Sequence, residues 1–264
     1  MNPRQLAVVT GASSGIGYEL AREFAERGYD LVITAENAAI TEAAQHCERL
    51  GVEVTAIRAD LRDPTELERF AAQAQGGGRP VDVLAINAGV GVSGDFVTDT
   101  VLADDLAVVD LNVRSAVHLA KSLVPAMVTR GRGRVLFTSS IAATSPGPFQ
   151  TVYHASKAFL QSFAQGLREE LRDRGVSVTA LMPGPTETRF FKRAGMTDTK
   201  IGAGPKDPAA EVARQAVDAL LAGKDHVVAG SIRNKVQAVA GRVLPDRLLT
   251  AVHRKASEPG TAKR

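Results

Sequence analysis

The sequence predicts an α/β fold built on one doubly wound parallel sheet of about seven strands, with helices on both faces. Seven short, apolar and β-branched runs alternate with longer segments of helical period along almost the whole chain. Several of these runs lack the apolar–polar alternation of a half-exposed strand, as expected for strands that helices cover on both sides. Sustained alternation of this kind is typical of right-handed βαβ units, which build parallel sheets.

The predicted strands span residues 6–10, 31–35, 52–57, 81–86, 134–139, 176–181 and 226–229. After the first strand, Ile16, Leu20 and Phe24 repeat at four-residue spacing, and Pro64 marks another helix start. Long helical segments are predicted at residues 103–130, 151–174 and 208–222. Because no linker, repeat or change of composition divides the chain, we expect residues 1–264 to form a single domain.

Composition excludes several classes of protein. Of the 264 residues, 44% are hydrophobic and 23% are charged, as in an ordinary folded chain and unlike a disordered one. The single cysteine, Cys47, cannot form an internal disulfide or a cysteine-based zinc site, and the five histidines lack ligand spacing, so no metal is predicted. No apolar run reaches the ~18 residues of a membrane span, and the first residues lack a signal-peptide core. We therefore expect a cytoplasmic protein.

Positive charge is concentrated near the end of the chain. Residues 224–264 contain nine Lys or Arg and three acidic residues, whereas the whole chain has a formal net charge of only +3. Such an extension could contact nucleic acid or an anionic membrane. Because it has no aromatic residue to stack between the charges, we expect residues 231–264 to form a solvated surface helix, with neither nucleic acid nor membrane as a partner.

A glycine-rich turn connects the first predicted strand to the first helix. Its sequence is Thr10-Gly11-Ala12-Ser13-Ser14-Gly15-Ile16-Gly17. Gly11 permits the tight turn, Gly15 lets a phosphate approach the backbone, and Gly17 lets the helix pack on the strand. The backbone N–H groups and the positive end of the helix would then face a pyrophosphate. The position of the turn after the first strand favours a Rossmann-like dinucleotide site.

The same residues also fit a second interpretation. The segment from Gly11 to Gly15 matches G-x-S-x-G, the strand–turn–helix elbow of serine hydrolases, with Ser13 as the nucleophile. Such an enzyme needs a later acid and a histidine base, and only His226 and His253 follow in a suitable order. Neither histidine lies in an obvious loop after a strand, and this elbow usually follows several strands. Because the motif matches but a suitable histidine base is not evident, a serine hydrolase is the second alternative.

A tyrosine and a lysine lie one helical turn apart in the segment Tyr153-His154-Ala155-Ser156-Lys157, on the same helix face. A tyrosine with an ordinary pKa of ~10 needs a drop of about three units to act as a base near neutral pH. A lysine charge ~4 Å away, at an effective dielectric constant of ~20, supplies about that much. Ser140 ends the preceding apolar run, and open α/β sheets hold their ligands at the ends of strands. These three side chains form a candidate catalytic group.

With these motifs the chain resembles the short-chain dehydrogenase/reductase family in its single-domain form, from residue 6 to about residue 230. Besides the glycine-rich turn, the motifs are Asp60-Leu61 after the third strand, Asn87-Ala88-Gly89, Asn112 within Leu111-Asn112-Val113, Ser140, Tyr153 with Lys157, and Pro183-Gly184-Pro185-Thr186-Glu187-Thr188 after the sixth strand. The family more often has asparagine at the position of Ile86. The resemblance implies a nicotinamide-dependent oxidoreductase that interconverts an alcohol and a carbonyl compound.

The resemblance also implies a role for each motif residue. Tyr153 would be the general acid/base, Lys157 would lower its pKa and hold the nicotinamide ribose, and Ser140 would hydrogen-bond the reacting oxygen. Asn112 would position a water that passes protons through Lys157 to solvent. Cofactor contacts are implied for Gly11, Ser13, Ser14, Gly15, Ile16, Gly17, Glu36, Asn37, Asp60, Leu61, Asn87, Ala88, Gly89, Tyr153, Lys157, Pro183, Gly184, Thr186 and Thr188.

The choice between the two nicotinamide cofactors depends on a few positions. Family members that select NADP commonly have a basic residue just before the second glycine or an arginine just past strand two, where this chain has Ser14 and Glu36. Members that select NAD have an aspartate at the position of Ala35. An ionised Glu36 would repel a 2′-phosphate but could accept hydrogen bonds from the ribose hydroxyls. The sequence therefore favours NAD(H). NADP(H) stays open because Glu36 could turn into water and leave Asn37, Ser13 and Ser14 to hold a phosphate.

In the family, the segment after the sixth strand is a mobile lid over the substrate, and here it would be about residues 186–206. Residues 90–96 and 141–150 would form other walls, and their apolar content indicates an uncharged or hydrophobic alcohol or carbonyl substrate. Because family members are usually joined through their long helices, a homodimer or homotetramer is expected. The first alternative function is a non-catalytic NAD(P)-binding sensor or partner protein, which would not need Ser140 beside Tyr153.

Overall fold

In the computed structural model, which describes residues 4–263 and the side chains of all of these but 76, 242 and 263, seven parallel strands form one sheet. They are β1 (Leu6–Thr10), β2 (Asp30–Ala35), β3 (Val54–Arg58), β4 (Val81–Ile86), β5 (Gly133–Thr138), β6 (Val176–Pro183) and β7 (His226–Ala229). Their order across the sheet is β3-β2-β1-β4-β5-β6-β7, so the chain moves outwards from β1 first to one edge and then to the other. The predicted doubly wound, Rossmann-like parallel sheet is confirmed.

Helices follow the strands along the chain. They are α1 (Gly15–Glu26), α2 (Ala39–Glu48), α3 (Pro64–Gly76), α4 (Leu102–Val109), α5 (Ser115–Arg130), α6 (Thr151–Glu170), α7 (Phe190–Arg193), α8 (Lys200–Ala203), α9 (Ala209–Leu221), α10 (Ile232–Val243) and α11 (Asp246–Ser257). Helix α3 begins as the sequence predicts, because Asp63 accepts hydrogen bonds from the N–H groups of Thr65 and Glu66. Helix α6 ends before the predicted residue 174, because the chain turns into β6 through Gly175, whose φ is +70°.

An apolar layer covers each face of the sheet. Alternate residues of the central strand β4 belong to different layers: Leu84 lies in the layer that contains Phe70 of α3, and Ala85 lies in the layer that contains Phe24 of α1. All four side chains are inaccessible to solvent. Since both faces of the strands are buried, the sequence has apolar runs here and no polar alternation.

The long helix predicted at residues 103–130 is interrupted in the structure. A π-helical turn, Asp110–Arg114, joins α4 to α5 and has the buried Asn112 at its centre. Such turns widen the helix by one residue and are frequent at functional sites. The interruption therefore falls on one of the residues that the sequence singles out.

The end of the chain differs from the single solvated helix that the sequence predicts. Two helices, α10 and α11, each contact residues 141–150. Ala238 of α10 packs with Ile141, and Ser257 of α11 bonds to Gln150. Gly241 lies so close to Thr144 that a Cβ atom on this glycine would overlap the threonine hydroxyl. Small and apolar residues at helical spacing explain why the extension packs on the protein. Among the described residues, no helix combines the length and the apolarity that a membrane crossing requires.

Candidate active site

A pocket lies at the carboxyl ends of β1, β2, β4, β5 and β6, where an open parallel sheet holds its ligands. It is lined by all nineteen residues for which the sequence predicts cofactor contacts and by three of the four predicted catalytic residues, Ser140, Tyr153 and Lys157. The fourth, Asn112, is buried immediately behind Val90, another lining residue. The motifs that lie far apart in the sequence thus meet at one edge of the sheet.

The glycine-rich turn has the close backbone packing that the sequence predicts. Gly11 has a φ of +68°, and a Cβ atom at Gly17 would overlap the Gly11 carbonyl oxygen. Helix α1 therefore starts directly against the end of β1. Ser14, at the N-cap position, makes no side-chain capping hydrogen bond. The first N–H groups of α1 are left to an outside acceptor, which is the arrangement of an anion-binding helix start.

A hydrogen-bond network fixes the ends of β1, β4 and β5 next to this turn. The Thr10 hydroxyl accepts hydrogen bonds from the N–H groups of Asn87 and Ala88, at 2.9 and 3.0 Å. The Asn87 amide donates to the Thr10 carbonyl oxygen at 3.0 Å and accepts from the Thr138 hydroxyl at 3.1 Å. The Asn-Ala-Gly motif thereby forms a rigid wall of the pocket, without an asparagine at Ile86.

Charged side chains lie at the far end of the pocket, beyond β2 and β3. The Arg62 guanidinium bridges two carboxylates, Glu36 at 2.9 Å and Asp60 at 2.8 Å. Hydrogen bonding by Arg62 holds the pKa of Asp60 below its ordinary value. The Asn37 amide donates to the Ser13 hydroxyl at 3.1 Å, which links this end to the glycine-rich turn. The sequence does not reveal Arg62, because its pairing depends on where β2 and β3 end in space.

Tyr153, Lys157 and Ser140 converge at the opposite end of the pocket. The buried Lys157 ammonium donates to the Thr138 carbonyl oxygen at 2.8 Å, and its Nζ atom is 5.7 Å from the centre of the Tyr153 ring. Ser140 is also buried, and its hydroxyl accepts a hydrogen bond from the Ala142 N–H at 3.1 Å. The structure therefore brings the candidate catalytic group together as predicted.

Burial affects the pKa values of Tyr153 and Lys157 more than the predicted effect of the lysine charge on the tyrosine does. Removal from bulk water raises the pKa of Tyr153 to about 12, although the polar Ser140 side chain opposes this rise. Burial lowers the pKa of Lys157 to about 8. The strong lowering of the tyrosine pKa by Lys157, expected from the sequence, is thus not found. The ammonium is directed at the Thr138 carbonyl oxygen, and its own burial disfavours its charge.

Asn112 holds the loop that follows β4. Its amide accepts from the Val90 N–H and donates to the Val90 carbonyl oxygen, both at 2.9 Å. The same amide nitrogen also donates to the Ser156 hydroxyl, on the helix of the Tyr–Lys pair. A Cβ atom at Gly89 would lie 3.1 Å from the Asn112 oxygen and 3.3 Å from Lys157 Nζ. The Asn112 oxygen and the lysine ammonium therefore both approach Gly89.

The segment predicted as a lid crosses the pocket between β6 and α9. Its base is closed by a bridge between Thr186 and Asp207. Phe190 lies over the catalytic group, with its ring centre 5.0 Å from that of Tyr153. Phe191, Ala194 and Met196 are buried and form a small apolar cluster with Phe190 and Ile201.

The C-terminal helices also reach this pocket, which the sequence does not predict. Gln237 of α10 and His253 of α11 are among its lining residues. His253 lies 2.8 Å from the Ser145 hydroxyl, and its ring packs edge-on against that of His154. Burial lowers the pKa of His154 to about 4, so this residue is neutral near neutral pH. The helical pattern of residues 231–264 does not indicate where these helices pack. The contact of His253 with the pocket is therefore seen only in the structure, where α11 packs on residues 141–150.

The geometry does not support the hydrolase interpretation of the glycine-rich turn. The Ser13 hydroxyl accepts from the Asn37 amide rather than approaching a histidine. The two histidines that follow in a suitable order have other partners, since His226 pairs with Asp225 and His253 with Ser145. Among the described residues, no group of three histidine, cysteine or acidic side chains is placed to hold a metal ion.

The residues fit a nicotinamide dinucleotide. The uncapped start of α1 lies at the middle of the pocket and offers N–H groups to a pyrophosphate. Beyond it, Glu36 and Asp60 line the end suited to an adenosine, and Tyr153 lies at the other end. Gly15 has a φ of +59°, and a Cβ atom there would lie 2.9 Å from the Thr188 methyl group. Any side chain at this position would therefore fill the space between the turn and the lid.

Comparison with known proteins agrees with this geometry. The family model described as short chain dehydrogenase matches residues 5–198. The chain is 31% identical to serine 3-dehydrogenase of Agrobacterium fabrum over 235 residues, which cover 89% of this chain and 87% of that protein. It is 32% identical to the ketoacyl reductase HetN of a Nostoc species over 198 residues, 74% of this chain and 67% of the relative.

A solved structure extends the likeness to three dimensions. A short-chain dehydrogenase from Sphingobium yanoikuyae, in complex with NADPH, is 30% identical and superposes with a TM-score of 0.79 over 85% of this chain and 87% of its own. The chain therefore belongs to the short-chain dehydrogenase/reductase family and is a nicotinamide-dependent oxidoreductase that acts on CH–OH or C=O groups.

Proposed function

We propose that Tyr153 is the general acid/base of this oxidoreductase, supported by Ser140, Lys157 and Asn112. The observation that carries the proposal is the convergence of the Tyr153 and Ser140 side chains at one end of the pocket, beside the buried Lys157 ammonium. Two hydroxyls that share one end of a pocket can hold a single substrate oxygen between them. A proton donor and a stabiliser of developing charge are what alcohol–carbonyl interconversion needs.

In the oxidation direction, Tyr153 passes its own proton towards Lys157 as its oxygen accepts the hydroxyl proton of the substrate. The Ser140 hydroxyl holds the same substrate oxygen. In reduction, Tyr153 returns a proton to the carbonyl oxygen. A bound nicotinamide cofactor supplies the hydride donor or acceptor. Ser140 is suited to its role because its hydroxyl is positioned by the Ala142 N–H and the Pro183 carbonyl oxygen, at 3.1 and 3.3 Å.

Lys157 and Asn112 would serve the transfer of protons. The Lys157 ammonium and the Asn112 side-chain oxygen both approach Gly89, and burial brings the pKa of Lys157 to about 8. A group that titrates near the working pH can both take a proton from Tyr153 and give one back. The fixed Asn112 amide would orient this path, since Val90 holds it on both sides. A protein that only binds the cofactor would not need this arrangement.

For the cofactor, we propose a preference for NAD(H). Glu36 lies at the adenosine end of the pocket, and Arg62 is already shared between Glu36 and Asp60. A 2′-phosphate would bring about two negative charges beside these two carboxylates and would compete with them for Arg62. The ribose hydroxyls of NAD(H), in contrast, could donate hydrogen bonds to Glu36.

We further propose that the chain is one catalytic domain, with residues 186–206 as the lid over a small alcohol or carbonyl substrate of apolar character. Support comes from the rings and aliphatic side chains at the catalytic end, where Phe190, Ile141 and Val90 line the pocket beside Tyr153. The closed base of the lid at Thr186 and Asp207 leaves its middle as the part that could move.

The first prediction concerns the general acid/base. Replacing Tyr153 with Phe should lower kcat by about 10²–10⁴-fold with a panel of ketones and secondary alcohols, because the proton donor is lost. Cofactor affinity should change little, since the ring and the pocket remain. Reduced-nicotinamide absorbance measures turnover, and fluorescence titration measures binding. Tyr29→Phe, which removes a hydroxyl in the core between α1 and β2, is the matched control. Unchanged turnover in Tyr153→Phe would favour the sensor alternative.

The second prediction concerns pH. Because the pKa of Lys157 is lowered to about 8, this group holds its proton below that value and loses it above. Oxidation releases a proton to Lys157, so kcat/KM for alcohol oxidation should rise as the pH increases through this region. Carbonyl reduction consumes a proton and should fall over the same range. Initial rates in both directions measure the profiles, and Lys157→Met should abolish the shared step. Profiles that are flat on both sides of this value would contradict the proton path.

The third prediction concerns the choice of cofactor. Replacing Glu36 with Ala should raise kcat/KM for NADP(H) by about tenfold, because the repulsion falls and Arg62 is released towards a phosphate. The value for NAD(H) should fall by a similar factor, as the ribose loses an acceptor. Glu42→Ala, an exposed acid on the neighbouring helix α2, is the control. A wild-type preference of tenfold or more for NADP(H) would refute the proposal.

The fourth prediction concerns assembly. We propose a homodimer or homotetramer joined by the long helices, because Leu102, Leu106 and Val109 of α4, Val117 of α5 and Phe159 of α6 are exposed apolar residues. Replacing Leu106 and Phe159 together with Glu should reduce the particle mass, since charges would then face each other across the interface. Light scattering coupled to size-exclusion chromatography measures it. A wild-type protein of monomer mass would contradict this assembly.

A further inference from the structure

The outer face of helix α10 is unusually apolar for a surface. Ile232, Val236, Val239 and Val243 are 77%, 64%, 63% and 76% exposed. At 100° per residue these four side chains fall in one stripe, on the side of the helix opposite the buried Ala238. Burial against the protein therefore does not explain them.

Helix α11 continues this surface. Leu248 and Val252, one turn apart, are 57% and 66% exposed, whereas Leu249 and Ser257 are buried. The inner faces of both helices pack on the same segment, since Gly241 of α10 contacts Thr144 and Ser257 of α11 contacts Gln150. The exposed faces of both helices point away from this segment. Together the six exposed apolar residues form the outer surface: Ile232, Val236, Val239, Val243, Leu248 and Val252.

Cations surround the outer surface. Arg233 and Lys235 flank the stripe of α10, and Arg247 and Lys255 lie beside Leu248 and Val252; all four cations are exposed. Residues 232–257 contain six Lys or Arg and one acidic residue. Within the part of the chain that the structure describes, none of these four cations forms an ion pair. The surface thus combines apolar side chains with uncompensated positive charge.

We propose that the outer surface docks on an anionic lipid bilayer. A helix with an apolar face and flanking lysine and arginine lies in the plane of a membrane, with the apolar side chains at the acyl boundary and the cations at the lipid phosphates. Juxtaposed basic residues add attraction to anionic headgroups. Both features are present on α10 and on α11. The sequence predicts no membrane partner, since the basic extension has no aromatic residues. The structure leads to a different proposal because it shows which apolar residues of the extension stay exposed.

The combination of charge and apolar side chains disfavours a second copy of the chain or a nucleic acid on this surface. A second copy of the chain would bring like charges together around the two apolar patches, which is unfavourable. A nucleic acid would match the cations but would leave the apolar side chains in water. An anionic bilayer satisfies both kinds of side chain.

The helices that carry the outer surface also contact the pocket, and the segment after α11 contacts the lid. Gln237 and His253, on the inner faces of the same two helices, line the pocket. The segment after α11 bonds to the lid, since the Ala262 N–H donates to the Asp198 carbonyl oxygen at 2.8 Å and the Lys200 N–H donates to the Thr261 hydroxyl at 3.2 Å. A membrane on the outer surface would therefore lie against elements that form one wall of the pocket.

Vesicle binding tests the proposal without reference to catalysis. The full-length protein is sedimented with vesicles of phosphatidylcholine, with and without phosphatidylglycerol, at low and at high salt. We expect binding that requires phosphatidylglycerol and weakens with salt. The double variant Val236→Glu/Val239→Glu should bind at least about tenfold more weakly, because charge would enter the acyl boundary. The double variant Lys235→Glu/Arg247→Glu should lose a similar factor through the headgroup attraction.

The matched control is Leu50→Glu, an exposed apolar residue after α2, beside the opposite edge of the sheet, which should bind like the wild type. Thermal unfolding and cofactor titration verify that each variant is folded. If the Val236→Glu/Val239→Glu variant does not fold, the Lys235→Glu/Arg247→Glu variant still tests the proposal, because both of its positions are exposed. Equal binding to both kinds of vesicle, or wild-type binding by both double variants, would overturn the proposal. So would loss of a protein oligomer in the valine variant without any vesicle binding by the wild type.

Discussion

The hydrogen bond from the buried Lys157 ammonium to the Thr138 carbonyl oxygen joins helix α6 to the end of β5, and the catalytic end of the pocket depends on it. A buried charge is costly unless it is satisfied, so this contact leaves α6 little freedom to rotate or slide. The Ser139 hydroxyl reinforces it by donating to the Lys157 carbonyl oxygen at 2.9 Å. Tyr153, one turn earlier on α6, is thereby fixed next to Ser140.

The remainder of the site follows from the parallel sheet. Since all strands run in one direction, the turns after β1, β4, β5 and β6 meet at one edge, and the Thr10–Asn87–Thr138 network fixes three of these ends against one another. The glycine-rich turn and the Tyr–Lys pair are more than a hundred residues apart in sequence, yet they belong to one pocket. A fold of this kind separates the binding of a dinucleotide from the chemistry on the substrate while keeping both on a rigid frame.

Much of this arrangement could be predicted from the sequence. The strand bounds are nearly those observed, because buried parallel strands leave apolar runs that are easy to recognise, and the motifs fall at strand ends. Other features depend on the folded protein. The pairing of Glu36 with Arg62, the burial that raises the pKa of Tyr153, and the contact of His253 with the pocket each require distances between elements that no local pattern encodes. The π-helical turn at Asn112 could not be predicted either, because its residues have an ordinary helical composition.

The bonds between residues 260–262 and Asp198 carry a practical consequence for work with this protein. The Gly260 N–H donates to the Asp198 carboxylate at 2.9 Å, so residues 260–262 lie beside the lid. A deletion that removed these three residues would release Asp198 from its bonds and change how the lid is held. Kinetic comparison of variants therefore needs this segment intact.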